Sequence, residues 1–389
     1  MIKLRHAFYI MILALCCCKK AYNPPASSSP NNYLVVEGII NTGSDTTTIK
    51  ISNTVKLTDK VTENPVLGAV VIVEGEQNGS YPLYDVYNNG HYKSSSSLNL
   101  SSAQRYRLRI KTNNNEYLSD FVEVKPTPPI DSIGYNLQND IVNLYVNTHD
   151  PANKTRYYRW EYDETWIFHS KYDSGFVLDS ATNTIQVRAL NQLVYYCFAN
   201  EVSPHIILNS TEKLSKDVVY QSPLTQFPLT DEKIEKKYSI LVRQYAVTPD
   251  AYAFYLNIQK NTEQLGSIFD AQPSQLNGNI HSVNNPKEVV IGFITATNVQ
   301  SKRIFIAHED FPGNVQPNYP FDCEEDTAYY KNPATGVNQV QNTLINPPIN
   351  RIPTRAIYAA GKIIGYLYST IPCTVCTVRG TTQTPPFWQ

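Results

Sequence analysis

Seven cysteines are the residues of this chain most able to do chemistry, and they fall into two groups. Cys16, Cys17 and Cys18 are consecutive and close an N-terminus in which Lys3 and Arg5 precede an apolar run from Ala7 to Leu15. A basic start followed by a short apolar stretch is a secretory signal, shorter than the roughly 20 apolar residues that a membrane-spanning helix needs. A thiol at its end is the nucleophile that takes a diacylglycerol. Cys18 is the expected acceptor, because cleavage before it puts Leu15 at minus three and the small Cys17 at minus one. A diacyl group plus an acylated amine, at about 0.8 kcal/mol per buried CH2, makes such an attachment effectively permanent.

Cys197, Cys323, Cys373 and Cys376 form the second group. In an oxidising envelope an even count favours disulfides, and four thiols allow three connectivities. Cys373-Thr-Val-Cys376 has the spacing of a redox pair, yet no βαβ pattern surrounds it and no helix start is evident to lower a thiol pKa. Zinc would need both of these sulfurs and two more ligands, such as Cys323 and a histidine. A structural bridge tying the tail to the loop at Cys323 is the expectation.

Carboxylates offer less. His308-Glu309-Asp310 and Cys323-Glu324-Glu325-Asp326 are the only acidic clusters beside a histidine or cysteine. Two carboxylates that share glycoside hydrolysis must face each other at about 5 to 9 Å, whereas neighbours on a strand point apart. There is no Gly-x-Ser-x-Gly elbow, no His-Glu-x-x-His, no phosphate-cradling glycine loop and no calcium-loop spacing. The expectation is a protein that is not an enzyme, with no catalytic residues, no cofactor and no metal site. The net charge of −1 gives no pull toward nucleic acid or anionic lipid.

The elements that carry these residues are mostly strands. Twenty-eight tyrosines and 25 prolines against two methionines make a strand-and-loop composition. Residues 1–17 are the expected signal peptide and 18–32, rich in Pro, Ser and Asn, a disordered tether. Residues 33–125 contain short alternating or β-branched runs (33–40, 46–52, 69–75, 106–112, 118–124) separated by Asn/Gly turns, which predicts a β-sandwich able to fold alone. In its strand YRLRIKT, Tyr106, Leu108 and Ile110 point inward while Arg105, Arg107, Arg109 and Lys111 face solvent. Pro126-Thr127-Pro128-Pro129 is the clearest boundary.

Beyond it, 126–236 predicts a second sandwich of fibronectin or immunoglobulin type, with 141–150 and 156–162 as an adjacent pair turned by Asp150-Pro151-Ala152-Asn153. Tyr158, Trp160 and Tyr162 share one face of the latter strand and are expected to be core. Tyr157 and Trp166 are the candidate aromatics for a ligand or an interface. Residues 237–389 predict an α+β region with one helix over 249–265: Thr248 as N-cap, Pro249 first, Asp250 at the positive end and Gly266 as stop. Ala251, Phe254, Tyr255, Ile258, Thr262 and Leu265 make its apolar face. The fold class expected is mainly β, with two N-terminal sandwich modules followed by an α+β region.

Two resemblances follow from particular runs. VEGII, Pro65-Val-Leu-Gly-Ala-Val-Val-Ile-Val and Asn89-Gly90-His91-Tyr92 in that order resemble the carboxypeptidase-regulatory or transthyretin-like sandwich, which implies no catalytic residues in residues 33–125. STEKLSKDVVYQSPL (210–224), the run from Lys237 to Ile294 and the tail CTVCTVRGTTQTPPFW (373–388) are similar to the Bacteroidota lipoproteins grouped as domain of unknown function 4249. That family implies no assigned activity. Members often carry a cysteine near the position of Ser282, which leaves the partner of Cys197 open. In setting, the family resembles lipoproteins made alongside TonB-dependent outer-membrane receptors. The resulting expectation is an accessory component of such a transport system, held on the outer-membrane bilayer by its acyl chains, on a side left open because Lys19 and Lys20 stand where surface-export signals place acids. The alternatives are a glycan- or peptide-binding surface lipoprotein and an enzyme of unrecognised type.

Overall fold

Alternation of apolar and polar residues dictates two-faced strands, and strands with one apolar face must pack in pairs of sheets. The computed structural model describes residues 33–55, 60, 63–263, 278–312, 316–346 and 350–388. Residues 1–32, which hold the expected signal peptide, Cys18 and the expected tether, lie outside them. The fold is mainly β, with antiparallel sheets in a sandwich-like arrangement and one long helix.

In the first sandwich, one sheet runs His91–Lys93, Thr48–Asn53, Leu34–Asn41, Ala296–Thr297 and Val124–Lys125, with Val290–Ile291 also paired to Leu34–Asn41. The facing sheet runs Ile280–Ser282, Glu116–Ser119, Tyr106–Lys111, Val70–Gly75 and Ser80–Leu83. Tyr106, Leu108 and Ile110 are buried between them with Ile49, Ile51, Val71 and Val73. The arginines alternating with them meet glutamates: Arg107 lies 2.8 Å from Glu74, Arg109 2.6 Å from Glu116, and Arg105 pairs with Glu76. Gly90 adopts φ +79° in the turn before His91, where a Cβ would meet the Ile51 carbonyl at 2.7 Å.

Three strands of this sandwich come from far along the chain. Ile280–Ser282 completes one sheet and Val290–Ile291 and Ala296–Thr297 the other. Residues 33–125 are therefore not the whole unit, and 237–389 is not a separate region. The cause is that Leu34–Asn41 and Glu116–Ser119 carry apolar faces up to open sheet edges, which only the returning chain pairs. Where that chain crosses itself, Gly278 passes so near Gly292 that a Cβ would sit 1.7 Å from the Gly292 carbonyl oxygen.

The second sandwich faces the sheet Val218–Pro228, Ile141–His149, Ile130–Gln138 against the sheet Tyr196–Val202, Tyr157–His169, Lys237–Ala246, Gln300–Ala307, with Ile207–Ser210 also paired to Tyr157–His169. The runs at 141–150 and 156–162 are thus in opposite sheets rather than paired. The Asp150 carboxylate accepts the N–H groups of Ala152, Lys154 and Thr155, which turns the chain across the sandwich instead of into a hairpin. Tyr158, Trp160 and Tyr162 fill the core, and Trp160 Nε1 donates to Gln244 Oε1 at 2.9 Å. A small sheet, Asp326–Tyr329 with Lys362–Thr370 and Arg351–Ala359, follows.

The helix Pro249–Glu263 joins the two sandwiches. Thr248 Oγ1 accepts the Ala251 N–H at 3.2 Å, as a cap should. Ala251, Phe254 and Tyr255 are buried against Tyr245, Leu208 and Ile206 of the second sandwich and against Ile39 and Phe293 of the first. Thr262 departs from the expected face: it is exposed, and its hydroxyl donates back to the Ile258 carbonyl. Leu265 and Gly266 lie outside the described residues. Thr127, in the proline-rich boundary, is a fixed joint: its backbone N–H donates to Asn298, its hydroxyl lies 2.7 Å from that of Thr297, and it accepts the Ala246 N–H.

Candidate functional site

A concavity of about 980 Å3 lies at one side of the second sandwich. Its floor is the strand Ile207–Ser210, sequence ILNS, paired among the described residues only to Tyr157–His169. Thr211 donates its N–H to the Arg156 carbonyl at 2.9 Å, and Val247 donates to that of Tyr157 at 3.0 Å. In an antiparallel ladder these two bonds fix which residues point which way. Asn209 and Ile207 bond toward Tyr158 and Trp160, whereas Leu208 and Ser210, opposite Arg159 and Tyr157, turn their N–H and C=O groups outward into the groove.

Two walls flank that floor. On one side the helix presents Pro249, Tyr252, Ala253 and Gln259; on the other stand Ser222, Pro223 and Leu224 of the opposing sheet. Gln259 Nε2 donates to the Ile206 carbonyl at 2.7 Å and closes one end. The rings of Tyr157 and Tyr252 lie 5.1 Å apart, tilted by 51°. A hydrogen bond to Glu212 holds the Tyr157 hydroxyl above its ordinary pKa. Behind the floor Arg159 is sandwiched with its guanidinium 4.4 Å from the Tyr255 ring, fixing helix to sheet.

A second cavity of about 490 Å3 is lined by Glu164, Glu201, His205 and Lys233. Glu164 is only 1% exposed, and its carboxylate receives Tyr238 Oη at 2.6 Å and Lys233 Nζ at 2.8 Å. Lys233 also reaches Glu201 at 3.0 Å. Burial pulls the Lys233 ammonium down, but the hydrogen bonds and charges of Glu164 and Glu201 more than offset this, so its pKa lies above that of an ordinary lysine. Burial first, then Glu164, pushes Tyr238 well up. Neither group is poised to exchange a proton near neutrality, so this cluster is an ionic lock within the sandwich.

The candidate residues now have places. Tyr157 lines the groove. Trp166 does not offer a platform: it is 8% exposed, its Nε1 faces Glu232 at 3.4 Å, and Lys233 Nζ sits 5.0 Å over the ring. Cys323 is bridged to Cys373 and Cys197 to Cys376, with Cα–Cα distances of 5.8 and 5.6 Å. The two cysteines of the CxxC therefore leave in different directions, and all four sulfurs are engaged. Ser282 lies in the first sandwich, its Oγ accepting the Asn285 N–H. Tyr252, Leu208 and Ser210 were not singled out from sequence; the uncharged, proline-free ILNS was the one signal available.

The acidic clusters are structural. Glu325 accepts from Thr354 and Arg355, Asp326 from Tyr368, and Asp310 from the Ala307 N–H. Among the described residues no group of three or more His, Cys, Asp or Glu side chains is placed to hold a metal ion. No helix among them is long and apolar enough to cross a membrane.

Residues 19–303 match the family described as Domain of unknown function (DUF4249). No curated protein matches the chain. Among solved structures, one from Bacteroides uniformis, described as a candidate carbohydrate binding protein, aligns at 11% identity over 56% of this chain and 90% of that one, with a TM-score of 0.14.

Proposed function

The chain belongs to the domain of unknown function 4249 family, and from that premise we propose that it is a lipid-anchored cell-envelope protein that works by binding rather than by chemistry, as an accessory of a TonB-dependent outer-membrane transport system. The observation that carries the reading is the open groove between the helix Pro249–Glu263 and the sandwich edge. It is wide and is walled by the helix on one side and by Ser222, Pro223 and Leu224 on the other. Preformed concave sites of this size are where proteins hold ligands. The anchor rests on the signal-like N-terminus ending at Cys18, and the receptor on the setting that the family resemblance implies.

Mild-detergent co-purification from native envelopes through a C-terminal tag tests this. The expected result is a large outer-membrane β-barrel protein in the eluate and a diacylated Cys18 at the mature N-terminus by mass spectrometry. Recovery of the lipoprotein alone in several detergents, with measurable turnover in a glycosidase and peptidase screen, would reverse the assignment.

A further inference from the structure

Edge strands are hazards that proteins usually blunt with charge, proline or a cover. Ile207–Ser210 has none of these: no charged residue, no proline, and among the described residues no partner for the outward N–H and C=O groups of Leu208 and Ser210. Those groups face the groove of about 980 Å3. We infer that the groove takes an extended polypeptide segment, which adds as a strand to the Leu208 and Ser210 edge. This rests on the reading of the groove as the binding site and names what it binds.

The geometry fits a strand on three counts. The floor exposes main-chain donors and acceptors two residues apart, the spacing that another strand satisfies and that a sugar ring does not. The walls belong to the two layers on either side of the sheet, so alternate side chains of an added strand would meet Tyr252 and Ala253 on one face and Pro223 and Leu224 on the other. The rim carries one acid and one base, Glu212 and Lys213, which favours an uncharged alternating segment over a polyanion. A glycan is the weaker occupant, because Tyr157 and Tyr252 pack on each other rather than presenting an open ring face.

The test uses the full mature chain, with phage-displayed random dodecapeptides and a glycan array run in parallel. A selected peptide should protect the Leu208 and Ser210 amides from hydrogen exchange. Ser210→Pro should weaken it by about tenfold or more, since proline removes the outward donor but no bond of the ladder to Tyr157–His169, while Ser210→Ala should change affinity less than about twofold. If Ser210→Pro fails to fold, the amide protection in the wild-type chain decides. Selected peptides that leave both amides unprotected overturn strand addition. Glycan binding in the groove without peptide binding overturns it too but leaves the groove a binding site; absence of any ligand removes both readings. Protection of the same amides without ligand, at all concentrations or only as a dimer forms, assigns the edge to the chain itself or to a second copy and also overturns the proposal.

Discussion

The two sandwiches solve the same packing problem with different means. The first has a mostly aliphatic core, with Tyr92 and Tyr106 buried among Leu34, Val36, Ile40, Ile49, Ile51, Val71 and Leu108, has no disulfide, and is completed by strands that return after residue 278. The second is more aromatic and polar inside: Tyr158, Trp160, Phe168 and Tyr238 are buried there with Glu164, which pairs with the half-buried Lys233, and a disulfide ties Cys197 to the tail at Cys376. One depends on chain topology, the other on cross-links and paired charges. A region fastened by covalent and ionic ties tolerates an open edge, and the groove lies in that region.

The largest effect expected from this contrast is on the first sandwich. A fragment of residues 33–125 lacks Ile280–Ser282, Val290–Ile291 and Ala296–Thr297 and should show no cooperative melt by circular dichroism, whereas the same fragment fused to residues 278–299 should recover one. A cooperative melt from the short fragment would mean that the returning strands are ornament and that the comparison is drawn in the wrong place.

Intermediate effects belong to the second sandwich. Replacing Cys197 and Cys376 by serine opens a loop of sequence separation 179, for which chain entropy predicts a loss of about 5 kcal/mol, with native strain reducing it. Differential scanning calorimetry should show the loss confined to the transition that reports the second sandwich. Glu164→Gln should cost about 2 kcal/mol in the same transition, because the half-buried Lys233 then keeps only the more exposed Glu201 as its counter-ion. Equal shifts in both transitions would erase the distinction between the regions.

The smallest effect is a pH dependence. Both ring nitrogens of His169 face acceptors, Nδ1 the Ser170 carbonyl and Nε2 the Glu235 carboxylate, so the fold selects the imidazolium. Burial lowers its pKa, but the hydrogen bonds to Glu235 and the Ser170 carbonyl and the charge of Glu235 together outweigh this, and the net shift is upward from 6.5. A raised folded pKa contributes stability that is fully present below about pH 6.5 and is lost as pH rises through the folded value. The melting temperature of the second sandwich should therefore fall as pH rises above about 6.5, and His169→Gln should flatten that slope. The exposed pair of His149 and Asp131 has the same sign but is screened by solvent.

Local patterns were legible in the sequence, and long-range partners were not. Tyr106, Leu108 and Ile110 announce their face by alternation, and Thr248-Pro249-Asp250 announces the helix start by cap chemistry. The returning strands are two or three residues long, below the length at which alternation means anything, and their pairing to Leu34–Asn41 is parallel and remote. Asp150 reads equally as a hairpin turn or an arch, since the same hydrogen bonds serve both. The cysteine count announced disulfides, but which sulfur meets which depends on how the tail lies along Tyr196–Val202, where Thr381 and Phe198 exchange backbone bonds. The groove was least legible: four uncharged residues carry its floor, and its walls come from segments some 30 residues apart in the chain.

The late return of Ile280–Thr297 also sets an order of events during synthesis. Residues up to Lys125 leave the ribosome well before their last sheet partners exist. At about 5 to 20 residues per second, the intervening chain takes roughly 10 to 30 s to emerge. Through that interval the edges of Leu34–Asn41 and Glu116–Ser119 stay open and able to pair with any strand they meet. The first part of the chain to be made is thus among the last to finish folding, and the nascent protein has to be held apart from its neighbours until then.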